Sequence, residues 1–196
     1  MQEAIQQLLE ELEAHGRAND ARETDRARKM LNLEPGTAQL LSILLRSSGA
    51  TRVLEVGTSN GYSTIWLAWS LARSGPAEVR MISIERNPDK QVLARENLHR
   101  AGLAERVDFR LGDATAVIRE LPGPFDFVFF DGDRFSAPEQ LRLLLPKLAR
   151  KALVLHDNAL SHREEIAAYL ALIESLPEFQ HTVVPVGKGL SVAYRG

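Results

Sequence analysis

Acidic side chains follow three apolar segments that the sequence predicts to be strands. Glu85 follows VRMISI, Asp131 follows FDFVFF, and Asp157 follows ALVLH. The carboxyl ends of parallel strands meet at one edge of an open sheet, where α/β proteins bind their ligands. Carboxylates gathered there can accept hydrogen bonds from sugar hydroxyls, neutralise an ammonium group or bind a hard cation. The chemistry of this chain is therefore expected along that edge.

A glycine-containing loop follows the first predicted strand, RVLEV. The loop reads GTSNGYS from Gly57 to Ser63, so its glycines are spaced G-x-x-x-G. Glycine at a strand exit lets the backbone turn tightly and approach a ligand closely. The dinucleotide fingerprint G-x-G-x-x-G is absent, which argues against NAD and FAD, and no G-x-x-x-x-G-K-S/T phosphate loop is present.

Three strand ends together favour a nucleoside ligand. Glu85, at the tip of the second strand, can accept hydrogen bonds from both ribose hydroxyls. Asp113 lies in the LGDA sequence after the third strand and could meet the amino edge of an adenine, and Glu55 could meet an ammonium directly or through water. S-adenosylmethionine has a ribose, a base and a cationic amino-acid end without phosphate. Each feature alone also fits a turn glycine, a helix-entry acid or an N-cap.

The last two parallel strands offer oxygen ligands for a metal. Asp131, Asp157 and Asn158 would contribute two carboxylates and an amide, which suit Mg²⁺, Ca²⁺ or Mn²⁺. His156 precedes Asp157 and should point to the opposite face of the sheet, so it is not counted as a ligand. Asp133 would cap the next loop or line the cleft. The same spacing also fits strand-end caps and an Asp-Asn turn.

Composition excludes several classes of protein. Lys and Arg total 24 and Asp and Glu total 26, so the net charge is −2. Without an excess of positive charge, non-specific electrostatic binding to nucleic acid is not expected. The chain has no cysteine, which excludes disulfides, zinc–thiolate sites and thiol nucleophiles and fits a cytoplasmic location. The longest uncharged run, 56–72, contains glycines and several polar residues, so no membrane span is expected.

Apolar runs and helical patterns alternate along most of the chain. Strands are expected at 52–56, 79–84, 107–111, 125–130 and 152–156, and helices at 36–47, 62–74, 88–101, 115–121, 138–148 and 163–175. Two final β runs, 181–186 and 190–194, read as a hairpin joined by a G-K-G turn. The alternation predicts an α/β fold with a mostly parallel sheet and helices on both faces.

The N-terminal part differs from this pattern. Apolar residues at helical spacing predict one amphipathic helix that ends at His15-Gly16. The charged stretch 17–30 is interpreted as a solvated linker or a short surface helix; the alternative is a basic lid over an anionic ligand. We expect a single domain, 1–196, with a helical extension at 1–30 and a cofactor-binding core at 31–196.

Several segments carry a family resemblance when they are read in order. They are LEVGTSNGYSTIWLA, ISIERNPDK, RLGDA, FDFVFFDGDR, LVLHDN and PVGKGLSVAYR. Together they resemble the cation-dependent O-methyltransferases of the catechol and caffeoyl-CoA type, from about residue 30 to residue 194. The resemblance implies a Rossmann-like methyltransferase sheet of seven strands, a homodimer, and S-adenosylmethionine-dependent methylation of a hydroxyl on a small catechol-like or phenolic acceptor.

The resemblance also implies roles for individual residues. The residues expected to surround the methionine end of the cofactor are Glu55, Gly57, Thr58, Gly61 and Ser63. Those expected elsewhere around the cofactor are Leu33, Glu85 at the ribose, Asp113 and Ala114 at the adenine, and Asp131. The resemblance also assigns Asp131, Asp157 and Asn158 as ligands of a metal that would chelate two neighbouring acceptor oxygens.

One position departs from the family pattern in a way that affects the chemistry. Many members have a lysine where this chain has Arg134, and that lysine is placed to take the substrate proton. Arginine stays protonated and cannot act as a base. Either the metal alone acidifies the hydroxyl, or the substrate ionises differently, or the activity is altered. Arg134, which with Asp131 is a catalytic candidate, could offset negative charge, bind an anionic substrate or be a surface arginine.

Three alternatives to a metal-assisted enzyme stay open at this point. The nearest is a metal-independent methyltransferase of the same fold, which Arg134 keeps open. The others are an NAD-dependent oxidoreductase and a non-catalytic cofactor-binding module. Lys188, in the final turn, occupies a position where the family often has an acidic residue, and the sequence assigns it no role.

Overall fold

The computed structural model describes residues 1–74 and 80–196. Within these residues the chain forms seven strands: β1 (Val53–Val56), β2 (Met81–Glu85), β3 (Val107–Leu111), β4 (Phe125–Phe130), β5 (Leu148–His156), β6 (Phe179–Val184) and β7 (Leu190–Arg195). The same part of the chain forms seven α-helices: α1 (Glu3–Arg22), α2 (Pro35–Ser48), α3 (Tyr62–Ser74), α4 (Pro88–Arg100), α5 (Ala114–Glu120), α6 (Ala137–Leu144) and α7 (Arg163–Glu174).

The strands form one sheet in the order β3-β2-β1-β4-β5-β7-β6. Strands β1 to β5 are parallel, whereas β7 lies antiparallel between β5 and β6. The chain reverses direction across the sheet between β1 and β4, which is the switch point where ligands of such folds bind. This arrangement confirms the predicted α/β sheet with its C-terminal antiparallel hairpin.

Alternating residues of the central strands build a core on each face of the sheet. Phe127 and Phe129 of β4 pack with the apolar side chains of α1, α2, α3 and α4. Val128 and Phe130 point the other way and pack with those of α5, α6 and α7. Strands buried on both faces are continuous apolar runs, which is why FDFVFF is recognisable as a strand.

The register of the strands brings their carboxyl ends level. Val56 lies opposite Ile84 on β2 and Phe130 on β4, and Phe130 lies opposite His156 on β5. The residues that end or follow these strands therefore share one edge of the sheet. They are Gly57, Glu85, Asp131 and Asp157.

Most predicted elements agree with the structure, and their ends differ for local reasons. The predicted bounds of α3, β3 and β4 are the observed ones, while Val79 of the predicted second strand lies outside the described residues. Strand β5 begins at Leu148 rather than at the predicted residue 152, because Leu148 pairs with Phe125 before a register shift. The sequence does not predict this start because charged residues interrupt the apolar run before residue 152. Helix α6 gives way after Leu144 to a 3₁₀ turn containing Pro146.

The prediction that the first helix ends at His15-Gly16 is wrong. Helix α1 runs to Arg22, and Gly16 is buried within it, where an added Cβ would lie 2.6 Å from Nδ2 of Asn32. Glycine is tolerated there because the helix packs closely on the segment that follows it. An ion pair between Glu13 and Arg17, one turn apart, spans the position. Residues 17–22 are therefore helix rather than linker.

None of the helices described in 1–74 and 80–196 is long and apolar enough to cross a bilayer.

Candidate functional site

A cavity of about 670 Å³ lies at the carboxyl ends of β1, β2 and β4. Ten of the residues singled out in the sequence line it: Leu33, Gly57, Thr58, Ser63, Glu85, Asp113, Ala114, Asp131, Arg134 and Asn158. A second cavity, of about 510 Å³, lies between α1, α2 and α3 beside Trp66 and Trp69 and contains none of these ten. The cavity at the strand ends is therefore the candidate site.

Gly57 forms the floor of this cavity where β1 ends. Its φ is +102°, and an added Cβ would lie 2.6 Å from the carbonyl oxygen of Asp131 and 2.9 Å from the nitrogen of Gly132. Only glycine fits this conformation against a neighbouring backbone. The close approach holds the β1–α3 loop against the end of β4, so that the loop and Asp131 face the same space.

The carboxylate of Glu85 is fixed by two backbone amides. Its Oε2 accepts a hydrogen bond from the nitrogen of Ser59 at 2.8 Å, and its Oε1 accepts one from the nitrogen of Asn87 at 2.8 Å. The residue is 8% exposed. Each carboxylate oxygen keeps further acceptor capacity, so the group can still receive a pair of ribose hydroxyls from the cavity.

Glu55 lies below the cavity and does not line it. Its carboxylate is fully buried and accepts hydrogen bonds of 2.6 Å from the hydroxyls of Ser63, Thr64 and Ser83. Burial raises the pKa of Glu55 to about 7, although these hydroxyls oppose the rise. The contact that Glu55 makes toward the cavity runs through Ser63, which does line it.

Gly61 also lies behind the cavity wall. Its φ is +87°, and an added Cβ would lie 3.0 Å from Leu98 and 3.2 Å from Ala94 of α4. This glycine serves the packing of α3 against α4. It reaches the predicted cofactor site only by placing the start of α3.

Asp113 combines the two roles that the sequence left open. Its side chain caps α5 by accepting a hydrogen bond from the nitrogen of Ala116 at 3.0 Å, and the residue lines the cavity. Ala114, the first residue of the helix, lines the cavity beside it. Both lie past the end of β3, next to Glu85 on β2.

Two acidic residues lie at the opposite end of the site, Asp131 in the cavity wall and Asp157 buried behind it. Burial, with the neighbouring charges of Asp157 and Glu55, raises the pKa of Asp131 well above its usual value. Burial, with the charge of Glu34, raises the pKa of Asp157 to about 6. Carboxylates with raised pKa values in one place favour a cation between them.

The donor set fits a hard divalent cation. Asp157 is 2% exposed, and its Oδ1 has no hydrogen-bond partner among the residues that the structure describes. Asn158 has a φ of +70°, lines the cavity and donates a hydrogen bond from its amide to Asp157. No cluster of three or more His, Cys, Asp or Glu side chains in 1–74 and 80–196 is arranged for a metal, so the candidate donors are the carboxylates of Asp131 and Asp157 together with the amide oxygen of Asn158.

The two neighbours of this acidic pair serve the structure. His156 points away, as expected, and its ring lies 5.7 Å from that of Phe130 and 4.6 Å from that of Tyr169. Asp133 accepts hydrogen bonds from the nitrogen and hydroxyl of Ser136 at 3.1 and 2.5 Å, so it caps the following loop, and it also lines the cavity, which confirms both predicted alternatives.

Arg134 is not a surface arginine. It is 8% exposed, and its Nε and Nη2 atoms lie 2.7 and 2.6 Å from Oε2 of Glu165 on α7. The guanidinium is therefore held at the cavity wall, on the side of Asn158. The interpretation of a loose turn residue is wrong, because the β4–α6 loop folds back onto α7.

The segment after α1 covers one side of the cavity. Both oxygens of Asp20 accept hydrogen bonds from the backbone, one from Met30 at 2.7 Å and one from Leu31 at 2.8 Å. The carbonyl of Met30 accepts a hydrogen bond from the hydroxyl of Ser59 at 2.6 Å, and that of Lys29 accepts one from Nζ of Lys90 at 2.6 Å. Residues 29–33 thus form a strap that is tied to α1, to the glycine loop and to α4.

A lysine stands beside the acidic pair. Nζ of Lys188 lies 2.8 Å from Oε1 of Glu34. Its positive charge partly opposes the rise in the pKa values of Asp131 and Asp157. Lys188 lines the cavity from the turn between β6 and β7.

A family model described as O-methyltransferase matches residues 5–171. The chain belongs to the O-methyltransferase family. Among its relatives are two proteins named catechol O-methyltransferase. One, from Niastella koreensis, is 33% identical over 134 residues, which is 66% of this chain and 59% of the relative. The other, from Mycobacterium tuberculosis, is 35% identical over 144 residues, which is 73% of this chain and 62% of the relative. The chain thus spans about three fifths of the length of these relatives.

Solved structures of the family have the same fold. The O-methyltransferase from Bacillus cereus in complex with SAH has a TM-score of 0.81 and 27% identity to this chain, covering 97% of it and 91% of that structure. The comparison confirms the predicted resemblance to O-methyltransferases and the predicted sheet.

The sequence assigns no individual role to several cavity residues. They are Arg26, Met30, Ser59, Asn60, Lys90, His162, Glu165 and Lys188. Four of them lie within segments that carry the family resemblance, and Arg26 and Met30 lie in the charged stretch 17–30, whereas nothing in the sequence singles out His162 or Glu165. Glu165 lies in the first turn of α7, where an acidic residue is common, so only the fold reveals its pairing with Arg134.

Proposed function

We propose that this chain transfers the methyl group of S-adenosylmethionine to a hydroxyl of a small catechol-like or phenolic acceptor. The observation that carries the proposal is that one cavity is lined by the fixed carboxylate of Glu85 and by Asp131 and Asn158, with the buried Asp157 hydrogen-bonded to Asn158 behind them. The first suits a nucleoside, and the second suits a divalent cation beside an acceptor. The strand order places Glu85 at the end of β2 and the acidic pair at the ends of β4 and β5, with β1 between β2 and β4, all at one edge of the sheet.

The cofactor would lie across the ends of β1, β2 and β3. Glu85 would receive the ribose hydroxyls, Asp113 and Ala114 would border the adenine, and the loop at Gly57 would face the methionine end. This placement is supported by the solved family member from Bacillus cereus, which is a complex with SAH. Ser63, held by Glu55, would present its hydroxyl group to the amino-acid end of the cofactor.

The metal ligands would be Asp131, Asp157 and Asn158, with Mg²⁺ as the expected ion and Ca²⁺ or Mn²⁺ as alternatives. A bound divalent cation supplies Lewis-acid polarisation of the acceptor oxygens and lowers the pKa of the hydroxyl. The protein's own part is to hold the acceptor oxygen in line with the methyl group; such positioning can supply about 7–11 kcal/mol in well-oriented cases. Arg134, held by Glu165, would stabilise negative charge on the acceptor without exchanging a proton.

One observation favours a second candidate, a metal-independent methyltransferase. The ammonium group of Lys188 stabilises the ionised forms of Asp131 and Asp157, so it partly opposes the rise in their pKa values. A fixed cation in this place could hold an ionised acceptor without a metal. The two candidates differ in their response to chelators.

The test is a methyl-transfer assay with labelled cofactor and catechol, with Mg²⁺ and with excess EDTA. The metal-assisted function predicts turnover with Mg²⁺, loss of turnover in EDTA, and loss in Asp157→Asn. Asp108→Asn is the matched control, because Asp108 forms an exposed pair with Arg110 outside the cavity and its substitution should leave the metal dependence unchanged. Full turnover in EDTA would favour the metal-independent candidate, and failure to bind SAH by calorimetry would reject both.

We also propose that the chain works as a cytoplasmic homodimer on a small molecule rather than on nucleic acid. The family resemblance supports the dimer, and the net charge of −2 supports the absence of nucleic acid. Light scattering after size exclusion tests the dimer.

A further inference from the structure

A glutamine amide lies in the wall of the cavity with one of its polar atoms unpaired. Gln140 belongs to α6, is 2% exposed and lines the cavity. Its Nε2 donates a hydrogen bond to the hydroxyl of Thr115 at 3.3 Å, whereas its Oε1 has no hydrogen-bond partner among the residues that the structure describes. A buried carbonyl oxygen without a donor is costly, because it has lost its hydrogen bonds to water. A donor on a ligand in the cavity would remove that cost.

Gln140 interrupts the apolar face of α6. The other buried residues of this helix are apolar, namely Ala137, Pro138, Leu141 and Leu144. An apolar side chain of similar volume, such as leucine or methionine, would fill the same space without burying a polar group. The packing of α6 therefore does not explain why this position holds an amide.

The position of Gln140 is at the end of the cavity where α5 begins. Thr115, which holds Nε2 of the amide, directly follows Ala114, and Ala114 lines the same cavity. Ile118 of α5 and Leu141 of α6 belong to one apolar core, so the two helices hold these residues together. In the proposed function Ala114 borders the adenine. Gln140 and the adenine would then share this end of the cavity.

We propose that Oε1 of Gln140 accepts a hydrogen bond from the exocyclic amino group of the adenine of the cofactor and thereby selects this base. The inference rests on the proposed function and names the group that recognises the base in that same site. The amino group of adenine donates hydrogen bonds, whereas guanine has a carbonyl oxygen at the corresponding position. An acceptor that is fixed by burial and by Thr115 therefore favours adenine and disfavours guanine.

Asp113 is another acceptor at this end of the cavity. Its Oδ1 accepts the capping hydrogen bond from the nitrogen of Ala116, and the residue is exposed. An exposed carboxylate can exchange a ligand for water at little cost, whereas a buried amide oxygen without a donor keeps the full penalty. The selection of the base is therefore assigned to Gln140.

The test compares SAH with its deamino analogue, in which a hydrogen atom replaces the amino group of the base. The dissociation constants of both are measured by calorimetry. The wild type should bind SAH about tenfold or more tightly, as expected when a buried acceptor loses its donor. Gln140→Leu should lose most of this preference through weaker binding of SAH, and it should bind the analogue at least as well as the wild type. Urea unfolding should show no loss of stability in this variant, because the substitution removes an unpaired buried oxygen.

Gln91→Leu is the matched control. Gln91 is a buried glutamine of α4 whose Nε2 also lacks a partner within the described part of the chain, and it does not line the cavity. Its substitution should leave the preference for SAH intact. Asp113→Ser removes the carboxylate but keeps a side chain that can cap α5, and it should keep the preference as well.

The outcomes separate this inference from the proposed function. Equal binding of SAH and the analogue to the wild type, or a preference that survives in Gln140→Leu, would overturn the inference and leave the proposed function standing. An equal loss of preference in Gln91→Leu would also overturn it. If the preference depends on Gln140 but no methyl transfer to catechol is detected, the proposed function fails and the inference stands. A wild type that binds neither ligand would reject both.

Discussion

The guanidinium of Arg134 and the carboxylate of Glu165 form an ion pair that joins the β4–α6 loop to α7. Nε and Nη2 of Arg134 lie 2.7 and 2.6 Å from Oε2 of Glu165. The hydrogen bond from Arg134 lowers the pKa of Glu165, so the pair stays charged over a wide pH range. The arginine side chain is therefore a fixed positive charge in the wall of the cavity.

A fixed charge predicts a particular kinetic signature. Arg134→Gln should lower kcat/KM about tenfold or more, because a positive charge beside the ionising acceptor is lost. Any shift of the pH–rate profile should be toward higher pH, because the charge of Arg134 lowers the pKa values of Asp157 and Glu165, while arginine itself does not titrate in this range. Steady-state kinetics from about pH 6 to about pH 9 measures both. Arg119→Gln, which breaks the exposed pair with Glu139 on the α5–α6 surface, is the control and should change neither quantity. An unchanged kcat/KM, or a profile shifted toward lower pH, would contradict the role of Arg134 as a fixed positive charge.

The contact between Gly57 and Asp131 predicts a specific loss of stability. In Gly57→Ala the new Cβ would lie 2.6 Å from the carbonyl oxygen of Asp131, in addition to the strain of a φ of +102°. Gly102→Ala is the control, because Gly102 has a φ of +67° and open space around it. Urea unfolding should show a loss of about 1 kcal/mol in Gly102→Ala and about 2–4 kcal/mol in Gly57→Ala. Equal losses would show that the β1–α3 loop can move away from β4.

The buried carboxyl of Glu55 predicts a pH dependence of stability. Its pKa is raised by burial from 4.5 to about 7 in the folded chain. The folded state therefore binds the proton more tightly, and folding stability falls as the pH rises from about 4.5 to about 7. Glu55→Gln keeps a neutral side chain and lacks this penalty. Its free energy of unfolding, relative to that of the wild type, should rise by up to about 3 kcal/mol across this interval. Urea titrations at several pH values measure the difference, and a difference that is independent of pH would contradict the raised pKa.

The parts of the fold and site that the sequence predicts share one physical property. Apolar runs buried on both faces end where the backbone leaves the sheet, and a polar residue directly after such a run must lie at the sheet edge. The sequence alone therefore predicts that Glu85, Asp131 and Asp157 lie at that edge. The glycine loop is equally local, because Gly57 needs a positive φ at the strand exit.

The parts that the sequence does not predict depend on contacts between distant residues. Asp20 holds backbone amides ten and eleven residues away, and Glu165 meets an arginine thirty-one residues away. Such partners leave no periodic pattern, so neither the strap nor the ion pair has a signal in the sequence. The helix through Gly16 escapes prediction for a related reason. Its buried contact with Asn32, rather than its own propensity, makes glycine acceptable there.

Lys188 is expected to compete with a divalent cation. Its ammonium group lies 2.8 Å from Glu34 and lowers the pKa values of Asp131 and Asp157. Lys188→Gln removes a positive charge near the metal ligands and should increase Mg²⁺ affinity several-fold in the SAH complex, as measured by calorimetry. Lys151→Gln, at an exposed position of β5, is the control and should leave the affinity unchanged. Weaker Mg²⁺ binding in Lys188→Gln would show instead that the pair with Glu34 holds the ligands in place.

The strap over the cavity is expected to depend on Asp20. Burial alone would raise the pKa of this carboxyl, but hydrogen bonds from Asn19, Leu31 and Met30 hold it below its usual value. Asp20→Ala should therefore release the strap, and hydrogen exchange should become faster at the amides of Met30 and Leu31. Because these residues line the cavity, the affinity for SAH should fall as well. Asp25→Ala removes the hydrogen bond that the nitrogen of Ala27 donates within the neighbouring turn, and it should leave exchange at Met30 unchanged.

The strap should also loosen at acidic pH. Because the pKa of Asp20 is lowered in the folded chain, the stabilisation that its carboxylate provides is present above the usual value of 3.8 and is lost as the pH falls through the folded value. Slow exchange at both amides in Asp20→Ala would show that Ser59 and Lys90 are enough to hold the strap.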